Sequence, residues 1–306
     1  MIHSDDIANK FIQKTIEQLE DGSFDLIELT NELERLEEGS RNTVVDRLAW
    51  ANKAPRVLRN QPVGSLKYFF DYLSSKKYFD RHTHREIARS FIEDIQDNKE
   101  ILLYLLENIK LVVAHATEKL TKTDDGITEI EKITIRENIS FRRTVALGLG
   151  EVIAPGFSDP TNLNGYVSIN RDAHPKVAIL LNNLVGSTDS VTSYIASVAL
   201  NEVNCLYLES VEKLLQSSDY RQKKIGLEYY EKARVKVKDA ESQIPLIVEL
   251  LEDERIDVSK SALKAIIYFS PEYSNLVADT IFDLLVLRSN NRPQEFFNLS
   301  TVHLHR

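Results

Sequence analysis

The stretch that decides the fold is Ile139–Ala154, ISFRRTVALGLGEVIA, near the middle of the 306-residue chain. On a helix its bulky apolar side chains fall on one side, a pattern that predicts an amphipathic helix with one buried face. Arg142, Arg143 and Glu151 take the opposite side. Small residues in the same stretch leave room for a second helix at close range, at some cost in helix propensity. They are Ala146, Gly148 and Gly150.

Weaker copies of this helix recur along the chain, each with a small residue near its middle. Those small residues are Ala49, Ala88, Ala146, Ala196, Gly226 and Ala262. Their intervals range from 30 to 58 residues, whereas units of two or three stacked helices recur about every 40 to 47 residues. The mean interval fits stacked helical units, and the scatter indicates insertions. We therefore expect an all-α fold of about six irregular repeats.

The order of residues in the central stretch carries a resemblance to a known architecture. An apolar residue and Arg come first, then a small Ala, then Leu-Gly-x-Val: Phe141-Arg142-Arg143, Ala146 and Leu149-Gly150-Glu151-Val152. This pattern resembles the second helix of a HEAT or armadillo-type repeat. The resemblance implies an irregular α-solenoid of antiparallel helix pairs over residues 1–306. The best repeats span 139–288, with less regular helices at 1–130 and a C-terminal tail at 289–306. The alternative is an irregular helical bundle.

Composition indicates a globular protein from a reducing compartment. At 42% hydrophobic residues the chain can bury a large core. Its one cysteine, Cys205, cannot form an internal disulfide. No basic-plus-apolar signal precedes Ser4, and no run approaches the roughly 18 apolar residues of a membrane helix. We therefore expect a cytoplasmic protein without a membrane partner.

Charge is distributed unevenly along the chain, whose net charge is -9. The segment 17–38 is strongly acidic, whereas 221–238 is basic and contains Tyr229 and Tyr230. Basic residues interleaved with aromatic ones can hold phosphates and stack bases, although helical spacing also permits core tyrosines. The candidate basic patch, which includes two residues of the central stretch, is Arg142, Arg143, Arg221, Lys223, Lys224, Lys232, Arg234, Lys236 and Lys238.

A second candidate site is the inserted loop 155–174, PGFSDPTNLNGYVSINRDAH. Loops this long inside a compact helical array are uncommon and are often functional. The alternative is a surface insertion that packs Phe157, Tyr166 and Ile169 on its own repeat. The candidate contact residues are Phe157, Asp159, Asn162, Asn164, Tyr166, Arg171 and Asp172.

Three chemical motifs do not fit the sequence. An EF-hand aligned on the loop glycine would place Pro160 in the first ligand position and Arg171 where a bidentate Glu belongs. The glycines of the central stretch lie inside a helix and cannot start a phosphate-binding loop. His82 and His84 diverge at a helix start, and no second cluster at zinc spacing accompanies them. No catalytic residue, metal site or cofactor is predicted.

These patterns favour a non-enzymatic scaffold that presents a helical-repeat surface and the inserted loop to a protein partner. Helix pairs that stack create a large surface without a deep polar pocket. One alternative is a nucleic-acid-binding protein that uses the basic helix 221–238. A less favoured alternative is a HEAT-like DNA-repair glycosylase, but no motif in this sequence matches the aromatic and acidic residues that such enzymes use.

Three local expectations bear directly on the fold. Phe24–Glu38 is predicted to be a helix that Gly39 ends. Ile101–Leu120 is predicted to be one long helix with an apolar face. Trp50, the only tryptophan, is predicted to lie in the core.

Overall fold

The computed structural model describes residues 4–50, 57–78, 85–95, 97–109, 112–135, 138–158, 168–233, 235 and 237–269. Every regular element within these ranges is helical, and no strand occurs in them. The predicted all-α fold class is therefore confirmed. The end of the predicted repeat range 139–288, from 270 onward, and the predicted tail 289–306 lie outside the described residues.

The chain divides into two compact units, with the boundary between Leu180 and Leu181. The helices of the first unit are α1 (Ser4–Asp21), α2 (Leu26–Glu34), α3 (Glu38–Trp50), α4 (Val63–Ser75), α5 (Arg85–Asp94), α6 (Lys99–Asn108), α7 (Val113–Leu120), α8 (Asp124–Thr134) and α9 (Ile139–Ile153). Helix α10 (Lys176–Val185) contains the boundary. The second unit has α11 (Ser190–Glu202), α12 (Leu208–Leu215), α13 (Tyr220–Lys232), α14 (Val237–Ala240), α15 (Ile244–Glu249) and α16 (Ile256–Phe269). Short 3-10 turns follow α14 and α15.

Side-chain caps fix where several helices begin. Asn138 precedes α9, and its Oδ1 accepts a hydrogen bond from the Phe141 backbone N–H at 3.2 Å. Asp189 precedes α11 and accepts from the Thr192 N–H at 2.9 Å. Each cap satisfies a backbone donor that the first turn of a helix leaves unpaired.

Helix α9 is the most deeply buried element of the first unit. The apolar positions predicted to share its inner face are all less than 9% exposed. Gly148 faces α7, where a Cβ would overlap Thr117 Oγ1 and lie 2.8 Å from Val113 Cγ1. Because only a hydrogen fits there, glycine sets the distance between α7 and α9. The apolar residues on the inner face of α9 that are less than 9% exposed are Phe141, Val145, Leu149, Val152 and Ile153.

Alternate helices of the first unit contact one another in two series, α1–α3–α5–α7–α9 and α2–α4–α6. In the second series, the Tyr68 hydroxyl donates to Asn31 Oδ1 at 2.9 Å. One helix further on, the Tyr104 hydroxyl bonds the Asp71 carboxylate at 2.6 and 2.7 Å. Lys76 pairs with Glu34 near the ends of α4 and α2 at 2.6 Å. One turn before the bond between Asp71 and Tyr104, on both α4 and α6, Lys67 pairs with Glu100 at 3.1 Å. Each pair of helices therefore makes two contacts in the same order along the chain, so α2, α4 and α6 run in the same direction.

The second unit is organised around α13, which contacts α11, α12 and α16. Gly226 faces α12, where a Cβ would lie 3.1 Å from Leu215 Cδ2 and 3.2 Å from Leu214 Cβ. Ala196 and Ala262, the small residues of the flanking repeat helices, are fully buried. The small residues of the sequence pattern therefore lie at helix contacts in this unit.

Three local expectations differ from the structure. Gly39 lies inside α3, because α2 ends in a tight turn in which Arg35 N–H donates to Glu32 O. The predicted long helix 101–120 is broken into α6 and α7, since the β-branched Ile109 adopts an extended conformation at φ -123° and ψ 84°. Trp50 is 52% exposed, because it lies about 200° around α3 from the buried Leu48.

Replacing Gly148 with Ala tests the close contact between α7 and α9. The added methyl must displace Thr117 and Val113, so the free energy of unfolding should fall by roughly 1–3 kcal/mol. Gly39→Ala is the matched control: it also lies in a helix, and no atom lies within 4 Å of its would-be Cβ. That change should stabilise the protein by about 0.5–1 kcal/mol. Denaturant unfolding measures both, and equal effects from the two substitutions would contradict the packing.

Replacing Tyr104 with Phe tests the bond between α6 and α4. Burial, the hydrogen bond to Asp71 and the charge of that carboxylate raise the pKa of Tyr104 to about 12 from 10.0. A raised pKa contributes stability below pH 10 that is lost as pH rises through 12. The native protein should therefore lose more stability than Tyr104→Phe between pH 10 and 12. Tyr68→Phe is the control, because the Tyr68 hydroxyl bonds a neutral amide. Identical pH profiles of stability for the native protein and Tyr104→Phe would contradict the hydrogen bond between Tyr104 and Asp71.

Candidate functional site

A polar groove lies along α11 and α13 in the second unit. Its volume is about 370 Å³. We call it the α11–α13 groove. The residues that line it are Tyr194, Val198, Asn201, Glu202, Tyr220, Arg221, Lys224, Ile225, Glu228, Lys232 and Asp257.

Arg221 lies at one end of this groove and contacts both Asp219 and Tyr194. Asp219 caps α13 by accepting from the Arg221 backbone N–H at 2.9 Å. The same carboxylate accepts from Arg221 Nε at 3.1 Å and Nη2 at 2.7 Å, and these bonds lower the pKa of Asp219. The guanidinium also lies 4.7 Å from the centre of the Tyr194 ring. Arg221 is thus a fixed and charge-compensated wall of the groove.

Two more cations of the predicted basic patch have acidic neighbours. Lys223 Nζ lies 2.7 Å from Asp253 Oδ2, with both side chains largely buried. Burial alone would raise the pKa of Asp253, but the Lys223 hydrogen bond, a backbone N–H and the nearby positive charges together lower it. Lys232 lies 3.9 Å from Glu202. The helix is therefore less positive than its sequence suggests.

The structure describes only some of the remaining members of the predicted basic patch. Lys224 is half-buried in the groove, and no carboxylate of the described residues lies within 4 Å of its ammonium. Arg142 is half-buried and Arg143 exposed on α9, in the other unit. Arg234, Lys236 and the side chain of Lys238 lie outside the described residues. The aromatic pair behaves as core: Tyr229 is 9% exposed and Tyr230 fully buried.

Asn201 is the groove residue that sequence reasoning missed. Its side chain is 4% exposed, and its Oδ1 accepts no hydrogen bond from any described group. The available signal was its position on α11, one turn after Ser197 and two turns after Ser193, both of which are buried. A polar residue on a buried helix face is a candidate for a specific contact.

The first stem of the inserted loop is bound to the end of α9. The Glu151 carboxylate accepts hydrogen bonds from the backbone N–H of Gly156 at 2.9 Å and of Ser158 at 3.3 Å. It also accepts from the Ser158 hydroxyl. Phe157, a predicted contact residue, is half-buried beside this network.

The second stem is bound to the same helix end. Asn170 Nδ2 donates to Val152 O at 2.9 Å, and its backbone N–H donates to Ile153 O at 3.1 Å. These bonds satisfy carbonyls that the last turn of a helix leaves unpaired. The candidate residues Arg171 and Asp172 follow directly and are exposed. The other four, Asp159, Asn162, Asn164 and Tyr166, lie outside the described residues.

An open cleft of about 490 Å³ lies between this second stem and the end of α7. Asn170, Asp172 and His174 line it from the loop side. His174 Nε2 lies 3.5 Å from Asp124 Oδ1 and extends the attachment of the loop to α8. The cleft is shallow and polar, so it offers a surface rather than an enclosed pocket.

Within the described ranges, no group of three or more His, Cys, Asp and Glu side chains is placed to hold a metal ion. None of the described helices is long and apolar enough to cross a membrane.

Comparisons with known proteins place the chain in no named family. No protein-family model matches it, and no curated protein matches it. Two crystal structures of engineered proteins from the Northeast Structural Genomics Consortium are similar in structure. One is 17% identical with a TM-score of 0.44, covering 98% of this chain and 83% of that one. The other is 15% identical with a TM-score of 0.35, covering 80% of this chain and 96% of that one.

Charge reversal on α13 should separate structural from surface lysines. Lys223→Glu would place two carboxylates together in a largely buried position, so we expect a loss of roughly 2–4 kcal/mol in unfolding free energy. Lys224→Glu, one residue away, should change stability by less than about 1 kcal/mol. Because the pKa of Asp253 is lowered from its ordinary 3.8, the contribution of the Lys223 pair is present above that value and is lost as pH falls through the lowered pKa. Thermal unfolding at pH 7 and pH 3 measures the stability of both variants. Similar losses of stability in the two variants at pH 7 would contradict the assignment of Lys223 as structural and Lys224 as a surface lysine.

Proposed function

We propose that this chain is a non-enzymatic scaffold that binds a protein partner through a helical-repeat surface and the loop 155–174. The observation that carries the proposal is the surface itself: the two clefts described are shallow, open and lined mainly by polar side chains, with Tyr194, Tyr220 and Arg221 in the α11–α13 groove. Such surfaces suit protein contacts, in which Tyr and Arg are enriched. Small-molecule sites are more enclosed and mostly apolar.

The architecture we propose for this surface is an irregular α-solenoid of antiparallel helix pairs, similar to HEAT repeats. Support comes from the two series of alternate helices in the first unit and from the shared direction of α2, α4 and α6. In stacked helix pairs, equivalent helices of successive repeats run parallel and contact their neighbours. Helices α11 and α13 follow the same rule, since Tyr194 meets Arg221 near their starts and Glu202 meets Lys232 near their ends.

The loop stems support a role for the insertion in binding. Glu151 and Asn170 anchor its two ends to α9 with five hydrogen bonds. Anchored stems hold a long connection at a defined place without burying it, which is the usual arrangement of a binding loop on a rigid frame. Exposed Arg171 and Asp172 offer charges of both signs beside the second stem.

Nucleic-acid binding through the basic helix 221–238 remains the alternative function. Acidic neighbours of Arg221, Lys223 and Lys232 weaken the positive potential that such binding requires. The proposal therefore favours a protein partner.

Affinity capture with the full-length chain tests the proposal. Cell lysate treated with nuclease should yield a protein that binds the chain saturably. This partner is then identified, and its affinity is measured by calorimetry. Replacing residues 159–167 with a Gly-Ser linker of equal length keeps both anchored stems, so thermal stability should be unchanged while partner affinity falls at least about tenfold. Hydrogen exchange should show the loop becoming protected in the complex.

Two results would contradict the proposal in different ways. If the linker variant binds the partner with native affinity, the loop is not part of the binding surface. If only nucleic acid is captured, and its affinity falls steeply as the salt concentration rises, nucleic-acid binding is the function and the proposed protein partner is wrong.

A further inference from the structure

We infer that His174 makes the second stem of the loop 155–174 sensitive to pH. The neutral imidazole caps the start of α10 and holds the stem there, and protonation of the ring breaks this cap. The inference rests on the proposed function in that it gives the proposed binding loop a regulator. The cap itself belongs to the free chain, so it is tested without a partner.

His174 acts on the first turn of α10 through both its backbone and its side chain. The His174 carbonyl accepts a hydrogen bond from the Val177 backbone N–H at 2.9 Å. The ring Nδ1 accepts from the Lys176 backbone N–H at 3.2 Å. Pro175, between them, has no N–H to satisfy. The imidazole therefore acts as a helix cap, in which a side-chain acceptor pairs a donor that the first turn leaves free.

The same ring joins the start of α10 to the start of α8. A histidine nitrogen accepts a hydrogen bond only when it carries no proton, so the bond from Lys176 requires the neutral tautomer with its proton on Nε2. Nε2 lies 3.5 Å from Asp124 Oδ1. The His174 side chain is 25% exposed, so the ring exchanges protons with solvent.

Protonation of His174 removes the cap. The added proton lies on Nδ1 and turns the acceptor for the Lys176 N–H into a second donor, so the two N–H groups repel each other. The positive charge of the imidazolium also lies at the N-terminus of α10, where the helix dipole disfavours cations. Both effects drive the ring out of its capping position.

Asp124 attracts the imidazolium, but this attraction does not restore the cap. The Asp124 side chain is 85% exposed, and attraction between exposed charges is weak in water. The Lys176 ammonium lies 3.8 Å from the same Asp124 oxygen and competes for it. A protonated ring that stays beside Asp124 must still turn Nδ1 away from the Lys176 backbone N–H, because both groups can only donate.

The other charged groups that face His174 line the cleft between the second stem and α7. Among the described residues they are Glu118 and Lys122 near the end of α7 and Asp172 on the stem. Carboxylates and lysines ordinarily keep their charge between about pH 5 and 8, the range in which histidines ordinarily titrate. The cap is therefore present while His174 is neutral, and it is lost as pH falls and the ring takes up a proton.

Loss of the cap frees a short part of the loop. Asn170 remains hydrogen-bonded to the end of α9, so the stem stays attached on that side. The segment 171–174 loses its attachment to α10, and it carries the exposed side chains of Arg171 and Asp172. Both are candidate contact residues. Protonation should weaken partner binding, because contact residues that are less fixed lose more entropy on binding.

Nuclear magnetic resonance of the full-length chain, with histidine labelled by nitrogen-15, measures the protonation of the ring directly. At pH 7.5 His174 should show the tautomer with its proton on Nε2. The spectrum of His174→Asn identifies the His174 signals by their loss. A proton on Nδ1 at pH 7.5 would overturn the inference, because that tautomer cannot accept the Lys176 hydrogen bond.

Hydrogen exchange of the Lys176 amide measures the cap. After correction for the intrinsic effect of pH, its protection in the native chain should fall about three- to tenfold between pH 7.5 and pH 5.5, the worth of one hydrogen bond. His174→Asn is the matched control: asparagine caps helices without titrating, so its protection should be equal at both pH values. His174→Ala should give low protection at both.

Equal protection of the Lys176 amide at both pH values in the native chain would overturn the inference. So would a fall of the same size in His174→Asn, because the titrating group would then lie elsewhere. If a variant does not fold, the tautomer and the exchange of the native chain still decide the question.

Partner binding separates this inference from the proposed function. The partner from affinity capture should bind the native chain at least about threefold more weakly at pH 5.5 than at pH 7.5, and His174→Asn should show no such loss. The same dependence on pH in both chains, or none in the native chain, would overturn regulation by His174 and leave the scaffold proposal standing. If no protein is captured, the scaffold proposal is wrong, and the tautomer and exchange measurements still decide whether the cap responds to pH.

Discussion

The close approach of α7 and α9 at Gly148 is the constraint on which the first unit depends. A side chain there would overlap Thr117 and push the two helices apart. Helix α9 also contacts α6 and α8, so its position is transmitted to the rest of this unit. In a close-packed interior such a displacement cannot be absorbed locally. A residue chosen for its lack of a side chain thus decides where four helices lie.

Polar side chains on the surface of the first unit join its neighbouring helices at defined positions. Tyr68 and Tyr104 each reach one helix further back in the series, to Asn31 and Asp71. Individually such bonds contribute little at an exposed surface. Their geometry nevertheless requires α2, α4 and α6 to keep one direction and one axial offset. Apolar packing holds these helices together, and the directional bonds select one arrangement among several that would bury similar area.

The second unit concentrates its unusual chemistry where α11 and α13 meet. Asp219 caps α13 and also binds the guanidinium of Arg221, so one carboxylate fixes both a helix end and a groove wall. Beside this wall lies Asn201, a buried polar group whose Oδ1 accepts no hydrogen bond from the described residues.

The sequence by itself determined the features that depend on local spacing. The helical class and the buried face of 139–154 follow from periodicity. The burial of Ala146, Ala196 and Ala262 follows likewise, because small residues at repeated positions indicate helix contacts.

Only the tertiary structure decided which charges and polar groups remain available. Lys223 looks like an exposed cation until folding brings Asp253, thirty residues away, to 2.7 Å. Asn201 reads as an ordinary helical residue, and only the position of α13 beside α11 makes it part of a groove lining. Electrostatic pairing and burial depend on distances between helices far apart in sequence. Local periodicity carries no information about those distances, so the site could not be predicted as the fold class was.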